Sequence, residues 1–143
     1  DLHLSLRRQR QMCIRDSMYG RVEWTGGDTL VSTNERGDRI ELDWEKGPTP
    51  MQVTLQMIGA CSTVDVVLGL KDRSFTEVWV EIDAKRATEW PKVFTNIHMV
   101  YHVRGDVPLK LVERLVSKSH EKYCTVSQMF VDVHITHACE VHE

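Results

Sequence analysis

Pro50-Met51-Gln52-Val53-Thr54-Leu55-Gln56-Met57-Ile58-Gly59-Ala60-Cys61-Ser62-Thr63-Val64-Asp65-Val66-Val67-Leu68-Gly69-Leu70 is the stretch on which the rest of the chain turns. From Met51 to Leu70 the ionisable side chains are one carboxylate, Asp65, and one thiol, Cys61. Apolar residues recur at Met51, Leu55 and Ile58 and again at Cys61, Val64 and Leu68, in steps of three and four that fit a helix and not a strand. Pro50 suits the first helical turn, where a missing N–H has no partner to lose. So apolar a helix requires burial nearly all round, as the central helix of a domain or as a subunit interface. Gln52, Thr54, Gln56, Ser62 and Asp65 interrupt it, so no run reaches the ~18 apolar residues of a membrane span.

Upstream, Tyr19 to Trp24 alternates, Gly26-Gly27-Asp28 is a turn, Thr29 to Thr33 is β-prone, and Asn34 to Asp38 is a second turn. Arg39 to Trp44 alternates again with Ile40, Leu42 and Trp44 on one face, which predicts a three-stranded meander with one solvated face. Downstream, Phe75 to Thr88 points Val78, Val80, Ile82 and Ala84 inward, and Val93 to Arg104 follows the same period, so the two form an antiparallel hairpin. Asp106 is the expected cap of a second helix, with Pro108 in its first turn and Leu109, Val112, Leu115, Val116 and Ser119 as its buried stripe. Glu121 to Met129 breaks that stripe, and Phe130 to Val141 alternates into a last strand. The order βββ-α-ββ-α-(short α)-β makes residues 18–143 one α+β domain.

Residues 1–17 stand apart. They are Arg-rich, lack an apolar period, and precede Met18, while Met12 to Ser17 resembles one reading frame of a sequencing-library adapter. They are expected to be a non-native, disordered extension. No secretory h-region is present in them. A net charge of −3 offers no electrostatic footprint for nucleic acid. Four cysteines, at 13, 61, 124 and 139, have no disulfide-framework spacing, and in an intracellular chain such thiols are redox-active, metal-bound or buried.

Cys61 follows a Gly-Ala step inside the apolar helix, where a free cysteine is most often a small buried hydrophobe. Cys124 sits at the helix break beside Tyr123, Thr125 and Ser127, where a helical turn can stabilise a thiolate. Taken singly, either thiol reads as packing at least as well as chemistry. His134, His137, Cys139 and His142 are zinc-type ligands within one window, yet in a strand His134 faces away from His137 and Cys139, so no metal site is expected. His98 and His102, with Asn96 and Arg104, read as a solvated face. There is no phosphate-binding loop, dinucleotide fingerprint or nucleophile elbow.

As a set, Thr49-Pro50, the apolar run to Gly59-Ala60-Cys61, and Glu121-Lys122-Tyr123-Cys124 with Val126 resemble the OsmC/Ohr family over residues 18–143. Pro50-Met51 and Ile135-Thr136-His137 resemble one subgroup of it most. The resemblance implies an OsmC-like fold, with antiparallel sheets packed around a buried central helix, in an intertwined cytoplasmic homodimer. It implies thiol-dependent reduction of organic, alkyl or lipid hydroperoxides, with Cys61 as peroxidatic and Cys124 as resolving cysteine. Met51, Leu55 and Met57 would take the organic tail. No cofactor is expected beyond an external dithiol reductant, and neither nucleic acid nor membrane is an expected partner. Peroxidase members carry a glutamate after the helix-starting proline and an arginine from the N-terminal meander. This chain has Met51 and then Gln52, and Asp28 or Glu41 where the arginine would stand. That departure supports an alternative, a slow or non-catalytic OsmC-like protein holding a small apolar or thiol-reactive ligand in the dimer cleft.

Overall fold

The computed structural model describes residues 18–143, and the expectations for residues 1–17, Cys13 included, lie outside them. The chain divides into two compact units at Gln52/Val53.

The first unit is a meander of β1 (Gly20–Gly26), β2 (Thr29–Asn34) and β3 (Arg39–Asp43), antiparallel in that order. Gly26 and Gly27 turn the first hairpin at φ of 108° and 54°, a region closed to most side chains. Asn34 Oδ1 closes the second turn by accepting from the backbone N–H groups of Arg36 and Asp38 at 2.9 and 3.0 Å. Register aligns Trp24 with Leu30 and Leu42, and Val22 with Ser32 and Ile40, so one face carries the apolar set. The expected solvated face is present, bearing the exposed pairs Arg21–Glu23 and Arg39–Glu41. The apolar face is also open: Val22, Trp24 and Ile40 are 64%, 65% and 47% exposed.

Helix α1 (Pro50–Gly69) opens on a reciprocal cap. Thr49 Oγ1 accepts from Gln52 N–H at 3.2 Å, and Gln52 Oε1 accepts from Thr49 N–H at 2.9 Å, two otherwise orphaned donors satisfied at once. By length and hydropathy the helix could cross a bilayer. Its polar groups say otherwise, since Ser62 and Asp65 bond Tyr101 and Ser119 within the second unit. Only one stripe is buried: Ile58, Gly59, Ser62, Val66 and Leu70. The expectation of burial nearly all round is corrected, because Met57, Val64, Val67 and Leu68 are exposed. Gly59 explains how the buried stripe comes so close to the sheet. A Cβ there would sit 2.5 Å from Ile82 Cδ1 and 3.0 Å from Val80 Cγ1.

The second unit's sheet is ordered β4 (Ser74–Arg86), β5 (Phe94–Asp106), β6 (His134–His142). The β4–β5 hairpin is antiparallel as expected, with Val80 opposite Tyr101 and Ile82 opposite Met99. The last strand corrects the all-antiparallel expectation: β6 runs parallel to β5, pairing Tyr101 with Cys139 and His102 with Glu140. A helical crossover lies between them, and crossovers of that kind return strands in parallel. The strand begins at His134, not Phe130. Helix α2 (Leu109–Lys118) is flanked by Pro108 without a side-chain cap, while Asp106 ends β5, so Asp106 is not its N-cap. Val112, Val116 and Ser119 are buried, but Leu109 is 43% exposed. The break after α2 is a π-helical turn, Ser119–Tyr123, followed by the short α3 (Thr125–Gln128). His102, expected on a solvated face, is buried at 8% exposure.

Candidate functional site

The inner face of β5 and the buried stripe of α1 form the floor of the site. Ile58, Val66, Met99, Tyr101, Val112 and Val116 are fully buried around it. Cys124 is equally buried, and Cys61, on the edge of the α1 stripe, is half-buried. The π-turn sets Cys124 in place: its N–H reaches back to the Ser119 carbonyl at 2.7 Å, a wider loop than an α-turn closes. Cys124 then leaves helical geometry (φ −75°, ψ 97°) and caps α3, accepting from Ser127 N–H at 3.4 Å.

Cys61 and Cys124 are neighbours, close enough for each thiol to influence the other's ionisation, and both are free. Burial pushes the Cys124 thiol up, the Ser127 hydroxyl and N–H pull it back, and Cys61 adds to the rise. Cys124 therefore rests as a thiol in neutral solution, with donors already aimed at its sulfur.

From Cys124 a chain of polar groups runs through the core. Ser127 Oγ lies 2.9 Å from His120 Nδ1, His120 Nε2 lies 2.7 Å from the Tyr101 hydroxyl, and that hydroxyl lies 2.5 Å from Ser62 Oγ. Ser62 bonds back to the carbonyls of Ile58 and Gly59 at 3.0 and 3.1 Å, so its proton has an alternative acceptor. Each member both donates and accepts, and the chain can run in either direction. Burial raises the Tyr101 pKa. It lowers that of His120 to about 4, helped by His137 and opposed by Asp65, so the imidazole is neutral near pH 7. His137 stacks on His120 with centroids 5.6 Å apart, and burial lowers its pKa as well. Gln128 Nε2 donates to the His120 carbonyl at 2.6 Å, and Ser119 Oγ donates to Asp65 at 2.6 Å, pinning the start of the π-turn. A groove of about 590 Å³, lined by His120, Glu121, Ser127, Val131, Ile135 and His137, gives the imidazole an outlet to water.

Among the expected tail-binding residues, Leu55 is half-buried and Met57 is 41% exposed on α1, while Met51 is half-buried in the first turn. That turn holds no acidic residue, and Gln52 is engaged in the cap. Four of the described arginines bond elsewhere: Arg21 with Glu23, Arg39 with Glu41, Arg86 with the Lys92 carbonyl, and Arg104 with Glu77. His137 and Cys139 face inward and His134 outward, as strand alternation requires; burial pushes Cys139 up to about 11. Sequence reasoning missed Tyr101, His120, Ser62 and Ser127 as a unit. The available signal was Ser62 itself, a polar residue on the buried side of an apolar helix, which demands a partner.

The family model for OsmC-like protein matches residues 43–139. The chain belongs to the OsmC-like family. It is 36% identical over 131 residues to Protein YhfA of Escherichia coli K12, covering 87% of this chain and 98% of that one. A hypothetical protein from Aquifex aeolicus VF5, 30% identical, superposes with a TM-score of 0.77 over 89% of this chain and 98% of its own. The organic hydroperoxide resistance protein OhrB of Bacillus subtilis has the same fold at 16% identity, with a TM-score of 0.59 over 87% of this chain and 98% of its own. Around the thiols this chain places neutral hydroxyls and an imidazole.

Proposed function

We propose that this chain is a thiol peroxidase that reduces organic hydroperoxides through Cys61 and Cys124. The observation that carries the reading is the proximity of two free thiols, Cys124 fully buried and Cys61 half-buried at the edge of the same apolar core. The Cys61 thiolate attacks the terminal oxygen of the hydroperoxide. An S–O bond forms, the O–O bond breaks, and the alkoxide takes a proton and leaves as alcohol, so Cys61 becomes a sulfenic acid. Cys124 then attacks that sulfur: the S–S bond forms, the S–O bond breaks, and water leaves with the Cys124 proton. An external dithiol returns both thiols by exchange. During attack and release, Ser127 N–H and Oγ–H donate to the Cys124 sulfur, Ser127 accepts from His120 Nδ1–H, and Tyr101 donates to Nε2. This orientation supports a thiolate without placing a charged group in the core.

The half-buried Leu55 and exposed Met57, with Met51 one helical turn before Leu55, supply apolar surface for an alkyl or lipid tail. The exposed stripe Met57, Val64, Val67 and Leu68 and the open apolar face of the β1–β3 sheet support a homodimer, since such faces bury against a second copy. Sedimentation at micromolar concentration should give twice the chain mass; a monomer contradicts the dimer. Three free described cysteines support a reducing, cytoplasmic setting. The neutral capped turn at Met51 and Gln52 favours the second reading, a ligand-holding protein without turnover. Incubating reduced protein with cumene hydroperoxide and counting thiols separates the two: loss of two thiols, abolished by Cys61→Ser, is expected of the peroxidase. An unchanged count, with a ligand retained in native mass spectrometry, would favour the second reading.

A further inference from the structure

We propose that the outer face of the β4–β5–β6 sheet carries a divalent transition-metal site built from His102, Glu140 and His142. His102 Nδ1, Glu140 Oε2 and His142 Nε2 form a triangle with edges of 2.9, 3.3 and 3.8 Å. Ligand atoms on a tetrahedral zinc ion, at 2.0–2.2 Å from the metal, lie about 3.3 Å apart, so the three atoms already approximate one face of its coordination shell. The short His–His edge must open by a few tenths of an ångström, within reach of His142, which is one-third exposed.

The strand register assembles the set. His102 pairs directly with Glu140 across β5 and β6, and alternation returns His142 to the same face two residues later. Trp79, paired with His102 on the other side, stacks on both imidazoles at 4.7 and 5.3 Å and fixes their planes. Glu81 Oε1 lies 2.8 Å from His102 Nε2 but off the N–H axis, so this buried nitrogen lacks a hydrogen bond and has an anion as neighbour. That carboxylate favours the proton on Nε2 and makes Nδ1 the acceptor of its 2.9 Å hydrogen bond from His142 Nε2–H, a proton that a metal ion would replace. A carboxylate behind a ligating histidine is the arrangement that orients metal-binding histidines. Arg104 does not compete, being held by Glu77 and the Glu143 carbonyl. Two imidazoles and a carboxylate with an open fourth position suit zinc, and cobalt(II) as its spectroscopic substitute, over magnesium or calcium. Because His102 faces away from Tyr101, the site is independent of the thiol pair.

Cobalt(II) and zinc titrated into the reduced full chain test it. One equivalent of cobalt should give the absorption of a four-coordinate nitrogen and oxygen site without a thiolate charge-transfer band, and zinc should displace it. His142→Ala and Glu140→Gln, both at partly exposed positions, should each weaken zinc binding at least tenfold while leaving the circular dichroism spectrum unchanged. No uptake at micromolar metal, a thiolate band, or affinity unaltered in both variants would overturn the proposal.

Discussion

Tyr101 and His102 are adjacent on β5, both aromatic, polar-tipped and buried, yet they belong to different chemical regions. Tyr101 faces α1 and joins a closed chain in which each hydroxyl and imidazole has a partner inside the core. His102 faces outward, beneath Trp79 and His142, with one nitrogen lacking a hydrogen bond and the other turned toward His142 and Glu140. The inner network is satisfied by the protein alone. The outer one leaves His102 Nε2 without a hydrogen bond and places carboxylates beside the ring, and a cation in place of the His142 proton would complete it. Polar burial on the first face fixes the geometry of the thiols. On the second it leaves a site open to a ligand.

The comparison can be broken at its centre. Tyr101→Phe removes one hydroxyl and leaves Ser62 and His120 Nε2 facing apolar carbon, a loss expected to cost about 1–3 kcal/mol in urea unfolding. A change below ~0.5 kcal/mol would show that the chain is not a unit. Next comes pH. His120 has a folded pKa near 4 against 6.5 for the ordinary group, so the unfolded chain binds the extra proton first. Its contribution is complete above about pH 6.5 and is lost as pH falls toward 4. Allowing for the ring's partial access to water, that loss is on the order of 2 kcal/mol, and His120→Phe should flatten the pH dependence in this window. A wild-type profile flat between pH 6.5 and 4 would contradict the buried neutral imidazole. The smallest effect belongs to the outer face: without added metal, Glu140→Gln should shift stability by no more than ~0.5 kcal/mol, because Glu140 is exposed. A larger loss would mean the outer cluster is structural in its own right.

Much of this was legible in the chain. The period of Pro50–Gly69 gave the helix, alternation gave the β4–β5 hairpin, and the spacing of Cys61 and Cys124 within recognisable surroundings pointed to the thiol pair. The direction of β6 was not legible, since a strand's alternation is the same whether its neighbour runs parallel or antiparallel. The Thr49–Gln52 cap has a readable signal, Thr-x-x-Gln ahead of an apolar run, which the missing charge at Gln52 obscures. Tyr101 was hidden by its own pattern: it occupies an inward position among Ile97, Met99 and Val103, and its hydroxyl matters only because α1 brings Ser62 and the π-turn brings His120 to it. His102 misleads for the opposite reason: an outward position on β5 implies exposure, but Trp79 and His142 cover the ring. Neither role follows from local periodicity. Both depend on which side chains the tertiary fold lays over a given strand.

The central claim is that Cys61 and Cys124 act as one redox pair. Reduced protein treated with one equivalent of cumene hydroperoxide, digested without reductant and analysed by mass spectrometry, should yield a peptide pair linked through Cys61 and Cys124. Cys124→Ser should leave Cys61 as a sulfenic acid trappable by dimedone. A linkage through Cys139 instead, or two thiols left untouched by the peroxide, would contradict the account.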